Sequence, residues 1–202
     1  ETVNIVSSGT GLVANTIAIK DVVSTTGGAR ALVVTGDKAL TVTFDTAFGI
    51  AGTSTTADGV AAIDASGLTG NLTIDTSNVA TAYAGLTITG GSGDDAITLS
   101  AQSSGTAATK VVAGAGADTI TTSTASATIT TGSGADVVNA YSTVYNSAVF
   151  TTTITDFAAG DTLKLTGTGT AVFQAAAVDV SAATTLASAY PLAILGAGAR
   201  TC

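Results

Sequence analysis

Short runs in which apolar and polar residues alternate recur along the chain. Residues 16–19, 40–44, 72–74 and 86–89 are examples, and Gly, Ser, Asp and Asn residues separate them. Period-two alternation between turn residues predicts β-strands, which β-branched Thr, Val and Ile also favour. Because the runs are so short, they favour a coil with one or two strands per turn over a flat β-sandwich.

Apolar residues in the middle of the chain recur with a fixed period. Ile120, Ile129 and Val138 are nine residues apart, and Ile97 holds the same place in an earlier nine-residue window. A fixed short period is typical of a solenoid, in which each repeat buries its apolar residue only against its neighbours. We therefore predict an all-β fold, a parallel β-roll or β-helix. Two nine-residue units would make one coil, so that equivalent positions recur every eighteen residues.

The regularity of this pattern divides the chain into three segments. Residues 1–85 have less regular spacing and are either a continuation of the solenoid or a separate β-domain. Residues 86–166 are predicted to form the roll together with capping strands. Residues 167–202 are Ala-rich, and a short helix over residues 182–189, with Ser181 as its N-cap, is one interpretation of this segment.

Composition narrows the classes of function. The 202 residues include 14 acidic and 6 basic side chains, a net charge of −8, and no His. Nucleic-acid binding needs a basic surface, so no nucleic-acid partner is expected, whereas an acidic excess suits cations. The lack of His excludes His-based catalytic triads and the common zinc sites, and we expect no enzyme activity. No apolar run approaches the roughly 18–20 residues of a membrane helix, so no membrane span is expected.

Three glycine-rich windows line up in the middle of the chain. Residues 90–98 match the nonapeptide G-G-x-G-x-D-x-U-x completely, where U is an apolar residue. Residues 113–121 and 131–139 lack only the first glycine. The candidate metal-site residues in these windows are Gly90, Gly91, Gly93, Asp95, Gly114, Gly116, Asp118, Gly132, Gly134 and Asp136.

These residue types suit a calcium site. Glycine allows positive φ angles that turn carbonyl oxygens inward, and Asp supplies a hard anionic oxygen. Ca²⁺ takes six or more oxygens at about 2.3–2.6 Å, which two stacked loops can provide together. Asp118 and Asp136 are eighteen residues apart and would face each other across one ion. Asp95 and Asp118 would bracket a second ion if the extra residues between them bulge around residues 100–109.

An alternative is that the three windows are plain β-turns with solvated Asp side chains. The window at residues 122–130 keeps the apolar position but contains no Gly and no Asp. We therefore expect metal on one side of the roll only. Stacked carboxylates repel each other, and one small aliphatic residue per nine cannot offset the chain entropy. We therefore expect folding to depend on Ca²⁺.

Residues 90–165 resemble the RTX family of calcium-binding parallel β-roll proteins, because they carry its nonapeptide three times. Residues 154–165 look like the strand-turn-strand that follows the last repeats of that family. The resemblance implies that Asp156 or Asp161 completes a terminal ion site. It also implies export by type I secretion and a location outside the cell or on its surface.

The Thr-, Ala- and Gly-rich remainder resembles the S-layer proteins of Gram-negative bacteria of the Caulobacter type. That resemblance implies a structural protein that forms a Ca²⁺-dependent surface lattice with copies of itself, and that contacts a cell-surface polysaccharide through a part outside this chain. The alternative is a calcium-binding module of a secreted adhesin, toxin or exoenzyme whose active part lies elsewhere. Ice binding by outward Thr rows is a third interpretation.

Overall fold

The computed structural model describes residues 2–19, 29–44, 59–77, 86–101, 108–124, 126–141 and 151–166. Strands, and no helices, form the regular structure of these residues. The suggested helix at residues 182–189 lies outside them. The strands are β1 (Thr2–Ser7), β2 (Asn15–Ile19), β3 (Ala29–Gly36), β4 (Leu40–Phe44), β5 (Gly59–Leu68), β6 (Leu72–Asp75), β7 (Thr87–Thr89), β8 (Ala96–Thr98), β9 (Thr109–Ala115), β10 (Thr119–Thr121), β11 (Ala127–Ser133), β12 (Val137–Tyr141), β13 (Thr152–Ile154) and β14 (Thr162–Thr166).

The strands alternate between two parallel sheets. The odd-numbered strands form one 7-stranded sheet in chain order, and the even-numbered strands form the other. Each odd strand and the even strand that follows it therefore make one coil, and successive coils stack. The predicted all-β parallel roll is confirmed. Strands β1 to β6 belong to the same two sheets as β7 to β14.

The length of a coil varies along the stack. Asp118 and Asp136 occupy equivalent positions 18 residues apart, as predicted, whereas the step from Asp95 to Asp118 is 23 residues and the step from Asp136 to Asp161 is 25. Between Asp95 and Asp118 the added length falls between the end of β8 and the start of β9, on the side opposite the glycine turns. Residues 102–107 of that connection lie outside the described part.

Two rows of aliphatic side chains form the centre of the core. The strand registers stack Ile63, Ile88, Val111 and Ile129 in one sheet and Ile74, Ile97, Ile120 and Val138 in the other, and all eight are buried. Each of these residues is covered by its equivalents in the coils above and below, which is how a solenoid buries a short repeat. The apolar position of the nonapeptide is therefore the position whose side chain packs in the core.

Candidate cation site

The three repeat windows lie on one side of the roll, where the chain crosses from the odd sheet to the even sheet. Residues 90–95 connect β7 to β8, residues 116–118 connect β9 to β10, and residues 134–136 connect β11 to β12. Each connection ends in an Asp, directly before a strand of the even sheet. The fold therefore stacks the glycines and carboxylates that the sequence singled out on successive coils.

The glycines are needed where the coils approach most closely. Gly132 and Gly134 have φ angles of 95° and 149°, and a Cβ atom on either would overlap the carbonyl oxygen of Gly114 or Gly116 one coil earlier. A side chain would therefore be strained in its backbone and would also collide with a neighbour. Gly114 and Gly116 have φ angles of 120° and are equally crowded. Gly90, Gly91 and Gly93 are crowded but lie outside the positive-φ region.

The Asp residues occupy an inward-facing row that is apolar in earlier coils. Leu40 pairs with Leu72 in the even sheet, and the next coils place Asp95, Asp118 and Asp136 at the equivalent position. All three carboxylates belong to residues that are at most 2% exposed. The alternative of plain turns with solvated Asp side chains is therefore wrong.

These side chains, together with Asp161, form what we call the Asp ladder. Each carboxylate accepts a backbone N–H from the equivalent residue one coil earlier. Leu72 N donates to Asp95 Oδ1 at 2.7 Å, Asp95 N to Asp118 Oδ1 and Asp118 N to Asp136 Oδ1 at 2.8 Å, and Asp136 N to Asp161 Oδ1 at 3.1 Å. One oxygen of every carboxylate thus links two coils.

The second oxygens of the ladder differ between its ends and its middle. Asp95 Oδ2 accepts the N–H of Gly91 at 2.8 Å, and Asp161 Oδ2 accepts that of Ala158 at 2.7 Å. The Oδ2 atoms of Asp118 and Asp136 are buried and have no hydrogen-bond partner in the described structure. A buried carboxylate oxygen without a donor is costly, which marks the middle of the ladder as electrostatically incomplete.

The same environment makes the carboxylates hard to ionise. Burial raises the pKa of Asp118 to about 6, and the negative charges of Asp95, Asp136 and Asp94 add to the rise, whereas the Asp95 N–H bond opposes it. Burial likewise raises the pKa of Asp95 and the pKa of Asp136. The negative charges of Asp161 and Asp156 raise the pKa of Asp136 further. A cation between these groups would relieve both the desolvation and the repulsion.

Asp156 lies beside the ladder at the last described coil, and its partners could not be predicted from the sequence. Its Oδ1 accepts the N–H and the hydroxyl of Thr131 at 2.8 and 3.0 Å, and its Oδ2 accepts the N–H of Gly132 at 2.8 Å. Thr131 stands where the repeat has its first glycine. This departure from the repeat therefore places a hydroxyl donor against Asp156.

A second, shorter row of side-chain acceptors runs outside the Asp ladder and was not predicted. Asn71 Oδ1 accepts the N–H of Asp94 at 3.1 Å, and Asp94 Oδ1 accepts that of Ala117 at 2.7 Å. The signal in the sequence is Gly70-Asn71-Leu72, which aligns with Gly93-Asp94-Asp95 although Leu72 breaks the repeat. Both Asn71 and Asp94 are exposed, so this row is an outer support of the turns.

The oxygen atoms available at the ladder supply part of the ligand set of a hard cation. Two anionic oxygens without hydrogen-bond donors, on adjacent coils, match the preference of Ca²⁺ for carboxylates. Within the described ranges no group of three or more acidic or thiol side chains is placed to hold a metal ion. A Ca²⁺ ion at Asp118 and Asp136 would therefore need backbone carbonyls of the two glycine turns to complete its six to eight ligands.

The described residues contain no helix that is long and apolar enough to cross a membrane. Comparisons with protein-family models, curated proteins and solved structures find no match to the chain. The resemblance to RTX and S-layer proteins therefore rests on the repeats and composition described above, and it stays a prediction.

Proposed function

We propose that the chain is a structural, Ca²⁺-binding β-roll of an extracellular surface protein. The observation that carries this proposal is the pair of buried Oδ2 atoms of Asp118 and Asp136, which have no donor among the described residues. A purely structural carboxylate would be expected to have both oxygens satisfied, as in Asp95. Unsatisfied anionic oxygens on two stacked glycine turns are what a bound cation would explain.

Ca²⁺ suits this position better than Mg²⁺ does. The ligands must come from rigid backbone turns and two buried carboxylates, and the residues are nearly inaccessible to water. Mg²⁺ demands octahedral geometry and usually keeps several waters, whereas Ca²⁺ accepts irregular shells of six to eight oxygens. Extracellular Ca²⁺ is abundant, so even a weak site of about 10⁻⁴–10⁻³ M would be filled.

The finer proposal is that copies of the chain join in a surface lattice. Only 10% of its residues are charged, so few surface charges oppose close association. Large exposed apolar side chains of the described part are concentrated in the first coil, where Val6, Leu12 and Val13 are 71%, 105% and 81% exposed. Strands β1 and β2 at that end are paired on one side only in the described structure, and such edges favour association.

The test is to compare the purified chain in chelator and in about millimolar Ca²⁺, the range of extracellular sites. Circular dichroism and thermal melting report folding, and light scattering with negative-stain microscopy reports assembly, with Mg²⁺ as the control ion. A higher melting temperature in Ca²⁺ than in Mg²⁺ and ordered sheets are the expected results. Unchanged folding and melting would refute the calcium proposal, and a stabilised monomer would refute the lattice in favour of an adhesin, toxin or exoenzyme module.

A further inference from the structure

We infer that the Asp ladder takes a single cation, between the coils of β9–β10 and β11–β12, with Asp118 and Asp136 as its two carboxylate ligands. Asp95 and Asp161 are then amide-binding ends of the ladder, and Asp156 is a positioning residue that keeps the Asp136 oxygen open. This inference rests on the proposed function, because it specifies the ion count and ligands of the proposed calcium site.

The ends of the ladder are already occupied by donors. Both oxygens of Asp95 accept backbone N–H groups at 2.7 and 2.8 Å, and both oxygens of Asp161 do so at 3.1 and 2.7 Å. Hydrogen bonds from two N–H groups already compensate the charge of a buried carboxylate. A cation there would have to compete with those donors for lone pairs, whereas the Oδ2 atoms of Asp118 and Asp136 meet no donor in the described part of the chain.

A comparison of equivalent glycines explains why Asp136 is open and Asp95 is closed. Gly91 and Gly132 hold the same position in their windows, four residues before the Asp, and the strand registers place them in one row. Gly91 N donates to Asp95 Oδ2 within its own turn, whereas Gly132 N donates to Asp156 Oδ2 on the next coil. Asp156 thus withdraws the donor that would otherwise be available to Asp136.

The amino acid at the first position of the window supports the same arrangement. Thr131 donates both its N–H and its hydroxyl to Asp156 Oδ1, and it is completely buried. The first window has Gly90 there, and the Gly90 N–H bonds to the carbonyl of Val112. In the window of Asp136, the first residue therefore helps to hold Asp156 in place.

The ion count is tested by calorimetric titration of Ca²⁺ into chelator-treated protein. One ion per chain is expected in the wild type and in D95N and D161N. D118N and D136N should each weaken binding about tenfold or more, because they remove a ligand charge. Asn keeps the Oδ1 atom that accepts the inter-coil N–H, so both variants should fold, as circular dichroism can check. D75N removes an exposed charge of β6 that lies outside the ladder and is the matched control, with binding retained.

The other outcomes distinguish failure of the single-ion inference from failure of the calcium proposal. Two or more ions, or an ion lost in D95N, would overturn the single-ion inference while leaving the calcium proposal intact. No binding in the wild type would overturn both. If D118N or D136N fails to fold, a crystal structure of the wild type with Ca²⁺ decides, because the inference requires one ion between these two side chains and none at Asp95.

The role of Asp156 is tested by D156A. Binding should weaken about tenfold with the ion count unchanged, the usual effect of losing a residue that orients a ligand. In the chelated protein the NMR resonances of the Gly132 amide and the Asp136 carboxyl should shift together, because the freed N–H turns to Asp136. T131V removes only the hydroxyl donor to Asp156 and leaves both N–H bonds, so it should weaken binding less than D156A does. D75N, at an exposed residue of β6, is the control and should bind normally. Unchanged affinity, or an unmoved Asp136 resonance, would remove Asp156 from this role.

Discussion

The Asp118 side chain places a negative charge inside the roll without a full set of donors. Its pKa of about 6 means that ionisation at pH 7 is less favourable than in the unfolded chain, by at most about 3 kcal/mol. D118N keeps the acceptor for the Asp95 N–H and removes the charge. We expect this variant to be more stable than the wild type in chelator, by about 1–2 kcal/mol, in urea denaturation.

On the proposal that Ca²⁺ binds between Asp118 and Asp136, the same variant should gain no stability from the ion, so the order of stability should reverse when Ca²⁺ is added. D94N is the control, because Asp94 is exposed and its substitution should change stability by less than about 0.5 kcal/mol. A D118N protein that is less stable than the wild type in chelator would contradict this account of the buried charge.

Stability should also depend on pH through Asp118. Its pKa in the folded state, about 6, exceeds the ordinary value of 3.8, so the native state binds more protons than the unfolded state between these values. Unfolding free energy therefore rises as the pH falls from 7 to about 4.5 in chelator. In Ca²⁺ the proton competes with the ion, so the ion's stabilisation should decrease over the same range. Thermal melts at several pH values, with D118N as a flatter control, measure both trends.

At the scale of the turn, close stacking of the coils should matter more than backbone strain alone. Gly132 and Gly160 both have positive φ, at 95° and 109°. A Cβ on Gly132 would overlap the Gly114 carbonyl oxygen, whereas one on Gly160 would have its nearest neighbour, the Ala135 Cβ, at 3.8 Å. G160A should therefore cost about 1–2 kcal/mol, the price of a left-handed backbone, and G132A more than that.

Urea denaturation of the two variants measures the difference, and circular dichroism shows whether G132A still folds. Equal losses in both variants would mean that the contact between coils at Gly132 relaxes freely, and would argue against glycine as a requirement of the stacking.

The strands and the buried aliphatic positions of the repeats could be predicted because both follow from the fixed spacing of the nonapeptide. Ile120, Ile129 and Val138 are nine residues apart, Ile97 holds the same place in an earlier window, and all four are buried. The Asp118–Asp136 alignment followed from the same period. Residues 1–85 were ambiguous because their coils are longer and unequal, so no single period reveals that Leu40 and Leu72 share the row of the Asp residues.

The partners of the carboxylates could not be predicted, because they depend on the register between coils. The sequence identified Asp95 and Asp136 as equivalent, yet one has both oxygens bonded and the other has one open. The difference arises from Asp156, which follows the last repeat and reaches Gly132 only after the chain has completed another coil. A local motif therefore located the candidate site but could not predict which oxygens of each carboxylate accept hydrogen bonds.

For the whole molecule, the ends of the roll are the expected place of contact between copies. A stack of coils covers its own core except at its first and last coil, where strand edges and apolar side chains remain accessible. Leu12 and Val13 lie in the connection between β1 and β2, away from the Asp ladder in the later coils. Assembly and calcium binding should therefore be separable by mutation.

The double variant L12S/V13S should bind Ca²⁺ with unchanged affinity and melt at the wild-type temperature, because both side chains are exposed. Its self-association in Ca²⁺, followed by light scattering and analytical ultracentrifugation, should fall by about tenfold or more, since two large apolar contacts are worth about 1.4 kcal/mol or more together. The control is V112S, a similar change in β9 at the middle of the stack. If V112S impairs association and L12S/V13S does not, copies meet along the sheet faces and the end coil is not their contact.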